Sequence, residues 1–79
     1  MKSINAKTVS GGDALAIRKE KQLNQAQFWG PIGVSQSGGS RYESGRKLPK
    51  PIQLLLAIAH GSEAVSRKAV AEIRGEKAA

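Results

Sequence analysis

A chain of 79 residues makes one small domain, and without a single cysteine it has neither a disulfide framework nor a thiolate metal site. Thirteen basic against six acidic residues leave a net charge of +7, which favours an anionic partner: nucleic acid, an acidic protein or a membrane surface. No apolar run approaches the roughly 20 residues of a membrane span, and Met1-Lys2-Ser3 is not followed by the apolar stretch of a secretory signal. A cytoplasmic location is therefore expected, and no membrane partner. The charge is uneven: residues 1–12 carry +2, 13–60 carry +4 and 61–79 carry +1. A domain this small buries only about 60% of its unfolded surface, so five short helices around one core suffice, and a dimer interface would add burial.

Residues 1–12 (MKSINAKTVSGG) are polar, with Ile4, Ala6, Thr8 and Val9 in loose alternation, and read as a tail or a short extended arm ended by Gly11-Gly12. The folded domain is expected over 13–74, with 75–79 as a frayed end. Helix 1 is predicted over 13–22, with Asp13 as its cap or first-turn acid and Ala14 and Ile17 on its inner face. Helix 2 starts near Asn24, with Leu23 and Phe28 in the core. Pro31 has no N–H, its ring clashes with the carbonyl of Gln27, and it disfavours helical geometry at Gly30. Helix 2 is thus short, kinked in its last turn, or later in its start.

Gly33 stands at a turn, and Ser35 is suited to cap helix 3. Gln36, Ser37, Ser40 and Arg41 then face outward, and Gly45 can close the helix in left-handed geometry. Leu48-Pro49-Lys50-Pro51 reads as an extended connector. Helix 4 is predicted over 51–60, with Ile52, Leu55, Leu56, Ile58 and Ala59 in the core and Leu54 the member most exposed or at an interface. Helix 5 follows Ser62 as cap and runs to about residue 74; Val65, Ala69 and Ile73, with Val70 alongside, form a narrow apolar stripe for helix 4 or a partner chain.

Leu23, Gln25, Phe28, Gly33, Val34, Ser35, Ser40, Tyr42, Glu43 and Gly45 follow the spacing Leu-x-Gln-x-x-Leu-Ala-x-x-x-Gly-Val-Ser, then x-x-x-Ile-Ser-x-Tyr-Glu-x-Gly, with Phe28 for the second Leu. This stretch resembles the helix-turn-helix of the phage-repressor (Cro/XRE) family of DNA-binding domains. The resemblance spans about residues 13–61. It implies an all-α, five-helix, lambda-repressor-like DNA-binding domain in which helices 2 and 3 form the helix-turn-helix. Position by position, it implies Gln36, Ser37 and Arg41 as readers of base edges, Gln suiting adenine and Arg guanine. It implies Gln25, Ser35, Ser44, Arg46, Lys47 and Lys50 as phosphate contacts. It further implies that Arg18 and Glu43 form an ion pair between helices 1 and 3, and that Gly38 lets backbones approach closely.

Two positions depart from the pattern together. Trp29 replaces a small Ala, and Gly39 replaces a buried Ile that faces it across the helix-turn-helix angle. A volume exchange, with the indole filling the space of the missing side chain, is the favoured reading, since cores tolerate changes that conserve volume. The alternative is an exposed Trp29 with Gly38-Gly39 breaking helix 3.

Nothing in the sequence marks an enzyme. The acids Asp13, Glu20, Glu43, Glu63, Glu72 and Glu76 are scattered, and no spacing fits a phosphate loop or a metal site. No cofactor is expected. His60, at a helix end, reads as a favourable charge there. The expected function is a sequence-specific, DNA-binding transcriptional regulator of the repressor type, binding double-stranded DNA as a homodimer on a near-palindromic operator, with helix 5 or the N-terminal arm at the interface. The alternative is an antitoxin-type module that binds a protein partner and regulates itself through DNA.

Overall fold

Ser10, not Asp13, opens the first helix. Its hydroxyl accepts the Asp13 N–H at 3.1 Å, and the Asp13 carboxylate accepts the Ser10 N–H at 3.1 Å, a reciprocal capping box. In this computed structural model, which describes residues 9–76, α1 therefore runs over Gly11–Glu20, two residues ahead of its predicted start. Val9 is buried, and Gly11 lies so close to the backbone of Tyr42 that a Cβ there would stand 1.7 Å from its carbonyl oxygen. Residues 9–12 thus belong to the folded body, because Gly11-Gly12 starts a helix instead of ending a tail. The expected arm over 1–8 and the frayed residues 77–79 lie outside the described residues.

Four further helices follow: α2 (Gln25–Trp29), α3 (Gln36–Glu43), α4 (Lys50–His60) and α5 (Glu63–Ile73), with a single 3-10 turn, Gly30–Ile32, after α2. The described residues hold no strand, and the architecture is the expected all-α one with five helices. Asn24 and Gln27 form a second capping box at α2. Pro31 ends α2 after five residues. Gly30 nevertheless keeps helical dihedrals (φ −55°, ψ −46°), since without a Cβ it escapes part of the clash with the proline ring. The chain tightens into the 3-10 turn and stops at Gly33, whose φ of 82° suits glycine. Ser35 caps α3 by accepting the Gly38 N–H at 3.0 Å. At the other end Gly45 and Arg46 donate to the carbonyls of Tyr42 and Arg41, each at 3.1 Å, the paired closure of a Schellman motif. Gly75 and Glu76 close α5 in the same way, so these two residues cap a helix and are not frayed.

The core is Val9, Ala14, Ile17, Phe28, Trp29, Leu48, Leu54, Leu56, Ala57 and Ala69. Trp29 is fully buried, which removes the alternative of an exposed indole. On α4 the expectation is corrected: Leu54 is only 5% exposed and Ala57 is sealed, while Ala59 lies at the surface. In the run Leu54-Leu55-Leu56-Ala57-Ile58-Ala59 every position is apolar, so periodicity carries no phase and packing against α5 and the 3-10 turn selects the inner face. Leu48, in the connector, is also core, and its carbonyl accepts from Gln53 Nε2 at 2.9 Å. On α5 Ala69 is buried, but Ile73 remains 44% exposed.

Candidate nucleic-acid interface

The inner side of α3 is held by one carboxylate. Glu43 accepts from Arg18 Nε (2.8 Å, Oε2) and Nη2 (2.9 Å, Oε1), from Gln25 Nε2 (3.1 Å, Oε1) and from Trp29 Nε1 (2.8 Å, Oε2). Arg18 also donates to the Leu23 carbonyl at 2.9 Å. One side chain thereby ties α1, the start of α2, the end of α2 and α3 together. Burial pushes the Glu43 carboxyl up, but hydrogen bonds from Arg18, Trp29 and Gln25 and the Arg18 charge outweigh it, so it titrates below its ordinary value. The bond to Glu43 correspondingly raises the Arg18 guanidinium. Both side chains are largely withdrawn from water, so removing one partner would leave an uncompensated charge, at a cost of about 3–5 kcal/mol.

Behind Glu43, the Trp29 indole lies against the α3 backbone. A Cβ on Gly39 would stand 2.2 Å from Trp29 Cδ1. The ring occupies the volume that a side chain at 39 would need. The sequence reading treated Trp29 as filler alone and missed its N–H bond to Glu43. The signal was present: a buried indole seeks an acceptor, and Glu43 follows Gly39 by one helical turn.

The outer side of α3 is polar. Gln36, Ser37, Arg41 and Ser44 are exposed and Ser40 is half-buried on the same side, while Gly39, Tyr42 and Glu43 face inward. Arg46 and Lys47 extend this surface past the helix end. Among the described residues, no ion pair or side-chain hydrogen bond occupies Gln36, Ser37, Arg41, Ser44, Arg46 or Lys47. Three other expected contact residues are engaged within the protein. Gln25 donates to Glu43, Ser35 accepts from the Gly38 N–H as the helix cap, and Lys50 pairs with Glu72 of α5 at 3.0 Å. Gly38 is tight against its own helix start: a Cβ there would meet Ser35 Oγ at 3.2 Å and Val34 Cγ1 at 3.3 Å.

His60 does not serve as a helix-end charge. Its ring stacks on Phe28 (centroids 4.5 Å, planes 11° apart), and Lys21 Nζ sits 2.9 Å from Nδ1. A lysine ammonium only donates, so Nδ1 is the acceptor and the imidazole is neutral. Burial first, and the Lys21 charge second, hold its pKa below the ordinary 6.5.

The family model described as RsaL-like HTH domain matches residues 15–59. The chain belongs to the RsaL-like helix-turn-helix family. The resemblance drawn from residues 13–61 thus holds at the level of a helix-turn-helix DNA-binding domain, and the match is not specific to Cro/XRE. No curated protein and no solved structure matched the chain. The matched span of this RsaL-like domain takes in α1 from residue 15 onward, α2, the turn, α3 and α4 up to residue 59, and so contains Arg18, Trp29 and Glu43 together with the whole outer face of α3. α5 lies beyond it. No described helix is long and apolar enough to cross a membrane.

Proposed function

We propose that the protein is a sequence-specific transcriptional regulator of the repressor type that inserts α3 into the major groove of DNA. The observation that carries this reading is the outer face of α3: Gln36, Ser37 and Arg41 are exposed and unengaged, and Arg46 and Lys47 flank them. Gln and Arg offer the paired donors and acceptors that match adenine and guanine edges, each good bidentate contact discriminating by about 1–3 kcal/mol. Ser44, Arg46 and Lys47, with the Ser35 hydroxyl, would hold phosphates and supply salt-dependent affinity. Gln25 and Lys50 each keep donors beyond those given to Glu43 and Glu72, but their placement is shared with those internal partners. Binding needs no cofactor and no catalysis.

One helix reads few base pairs, so the protein acts as a homodimer on half-sites about 34–36 Å apart, with α5, where Ile73 is exposed, or the N-terminal residues at the interface. The test is fluorescence anisotropy with a duplex selected by the protein from a random library, beside a scrambled duplex, over a salt series. Selective binding that weakens steeply with salt is expected, and Arg41→Ala should relax selectivity at one base position. Equal, weak binding to both duplexes would remove the reading and turn attention to a protein partner.

A further inference from the structure

Of the residues that meet α3, Trp29 of α2 meets it both sterically and through a hydrogen bond. The Trp29 indole touches α3 at two successive turns. At Gly39 the contact is steric: Cδ1, Cγ and Nε1 lie 2.2, 2.5 and 2.6 Å from where a Cβ would stand. About 6 Å further along the helix, four residues on, the contact is directional, Nε1 donating to Glu43 Oε2 at 2.8 Å. The first sets how closely α3 approaches α2. The second opposes rotation of α3 about its own axis. Arg18 of α1 and Gln25 at the start of α2 reach the same carboxylate, while the atoms nearest to a Cβ at Gly39 all belong to Trp29. The Trp29 carbonyl also accepts the Val34 N–H at 3.1 Å, so the same residue closes the turn between the two helices.

We propose that Trp29 is a positioning residue for sequence readout: its N–H bond to Glu43 fixes the rotation of α3 and thereby the angle at which Gln36, Ser37 and Arg41 meet base edges. This rests on the DNA-reading function above. Bidentate base contacts demand alignment, whereas phosphate contacts from Ser44, Arg46 and Lys47 tolerate a small rotation. Loss of the N–H therefore weakens binding to the preferred duplex about tenfold and leaves binding to a scrambled duplex, with its salt dependence, unchanged. A residue that merely supported the fold would weaken both in parallel.

Trp29 is the single tryptophan, which allows a clean replacement. Two variants are compared with the wild type on the duplex that the wild type selects: Trp29→Phe, and protein carrying β-(3-benzothienyl)alanine at position 29, which keeps the bicyclic shape and puts sulfur in place of the N–H. Measurements are made where circular dichroism shows full helix content; if Trp29→Phe does not fold, the sulfur isostere decides. In the free protein, the one indole N–H resonance should follow Glu43 through its titration and lose that response in Glu43→Gln; a resonance indifferent to Glu43 overturns the bond. Parallel weakening on both duplexes, or retained selectivity while Arg41→Ala loses it, overturns the positioning role and leaves the DNA reading intact. If the wild type selects no sequence, the DNA reading fails and the positioning role falls with it.

Discussion

Glycine has opposite meanings at neighbouring positions of α1. At Gly11 an added Cβ would stand 1.7 Å from the Tyr42 carbonyl oxygen and 2.6 Å from its carbon, both backbone atoms that cannot swing away. At Gly12 it would meet only Ser10 Oγ at 3.7 Å, an ordinary contact. Gly11→Ala should therefore destabilise by about 3 kcal/mol, the upper part of the overpacking range, despite a better helix propensity. Gly12→Ala should stabilise by about 0.5–1 kcal/mol, since alanine loses less backbone entropy. Urea midpoints at constant m-value check both; a neutral Gly11→Ala would mean that α1 and α3 are not in close contact. Neither role was visible in the sequence, where Gly11-Gly12 looked like the end of a tail. The approach of α1 to α3 exists only after residues 31 positions apart are brought together.

At the scale of elements, the α1–α2–α4 junction is held by a neutral histidine. His60 on α4 stacks on Phe28 of α2 and accepts from Lys21 at the end of α1. Its native pKa lies below its ordinary 6.5, so the unfolded chain binds a proton more readily in this range. The stabilisation is present above about 6.5 and is lost as pH falls through the native value. Glu43 follows the same sign in a lower window: its native pKa is depressed below 4.5, so its stabilisation is full above 4.5 and is lost on further acidification. Two acid steps in stability should result. His60→Phe, which keeps a ring on Phe28, should abolish the upper step and leave the lower one, as read from urea melts between pH 8 and pH 3. An unchanged upper step would show that another group is responsible. The caps at these junctions were more legible than the contacts: Asn24, Ser35 and Ser62 were read correctly because a cap depends on residues three apart. The uniformly apolar run of α4 was not, because it offers no phase.

For the whole molecule, the positive charge acts through its distribution. Arg41, Arg46 and Lys47 are unpaired on one side of the domain, while Lys50 and Arg67 are matched by Glu72 and Glu63. The count of thirteen basic residues thus overstates the number of centres available to DNA. Replacing Arg46 and Lys47 together by Ala should weaken binding to every duplex alike. It should reduce the slope of log affinity against log salt by about 0.9 for each phosphate that is no longer neutralised, without altering base preference. A change in preference instead of slope would assign these residues to readout. Lys50→Ala, being paired with Glu72, should reduce the slope little.

The sequence alone determined the five helices, the place of the turn, the disturbance of α2 at Pro31 and the polar outer face of α3, because each depends on neighbours within one or two helical turns. It also marked Trp29 and Gly39 as one paired departure, since a large residue and a missing side chain balance in volume. The tertiary structure decided what local spacing cannot carry: that the indole also hydrogen-bonds Glu43, that Gly11 lies against Tyr42, that Leu54 is core, and that Gln25 and Lys50 are turned to internal partners. Each is a contact between elements, and its distance is set by how helices pack, which no periodicity along the chain specifies.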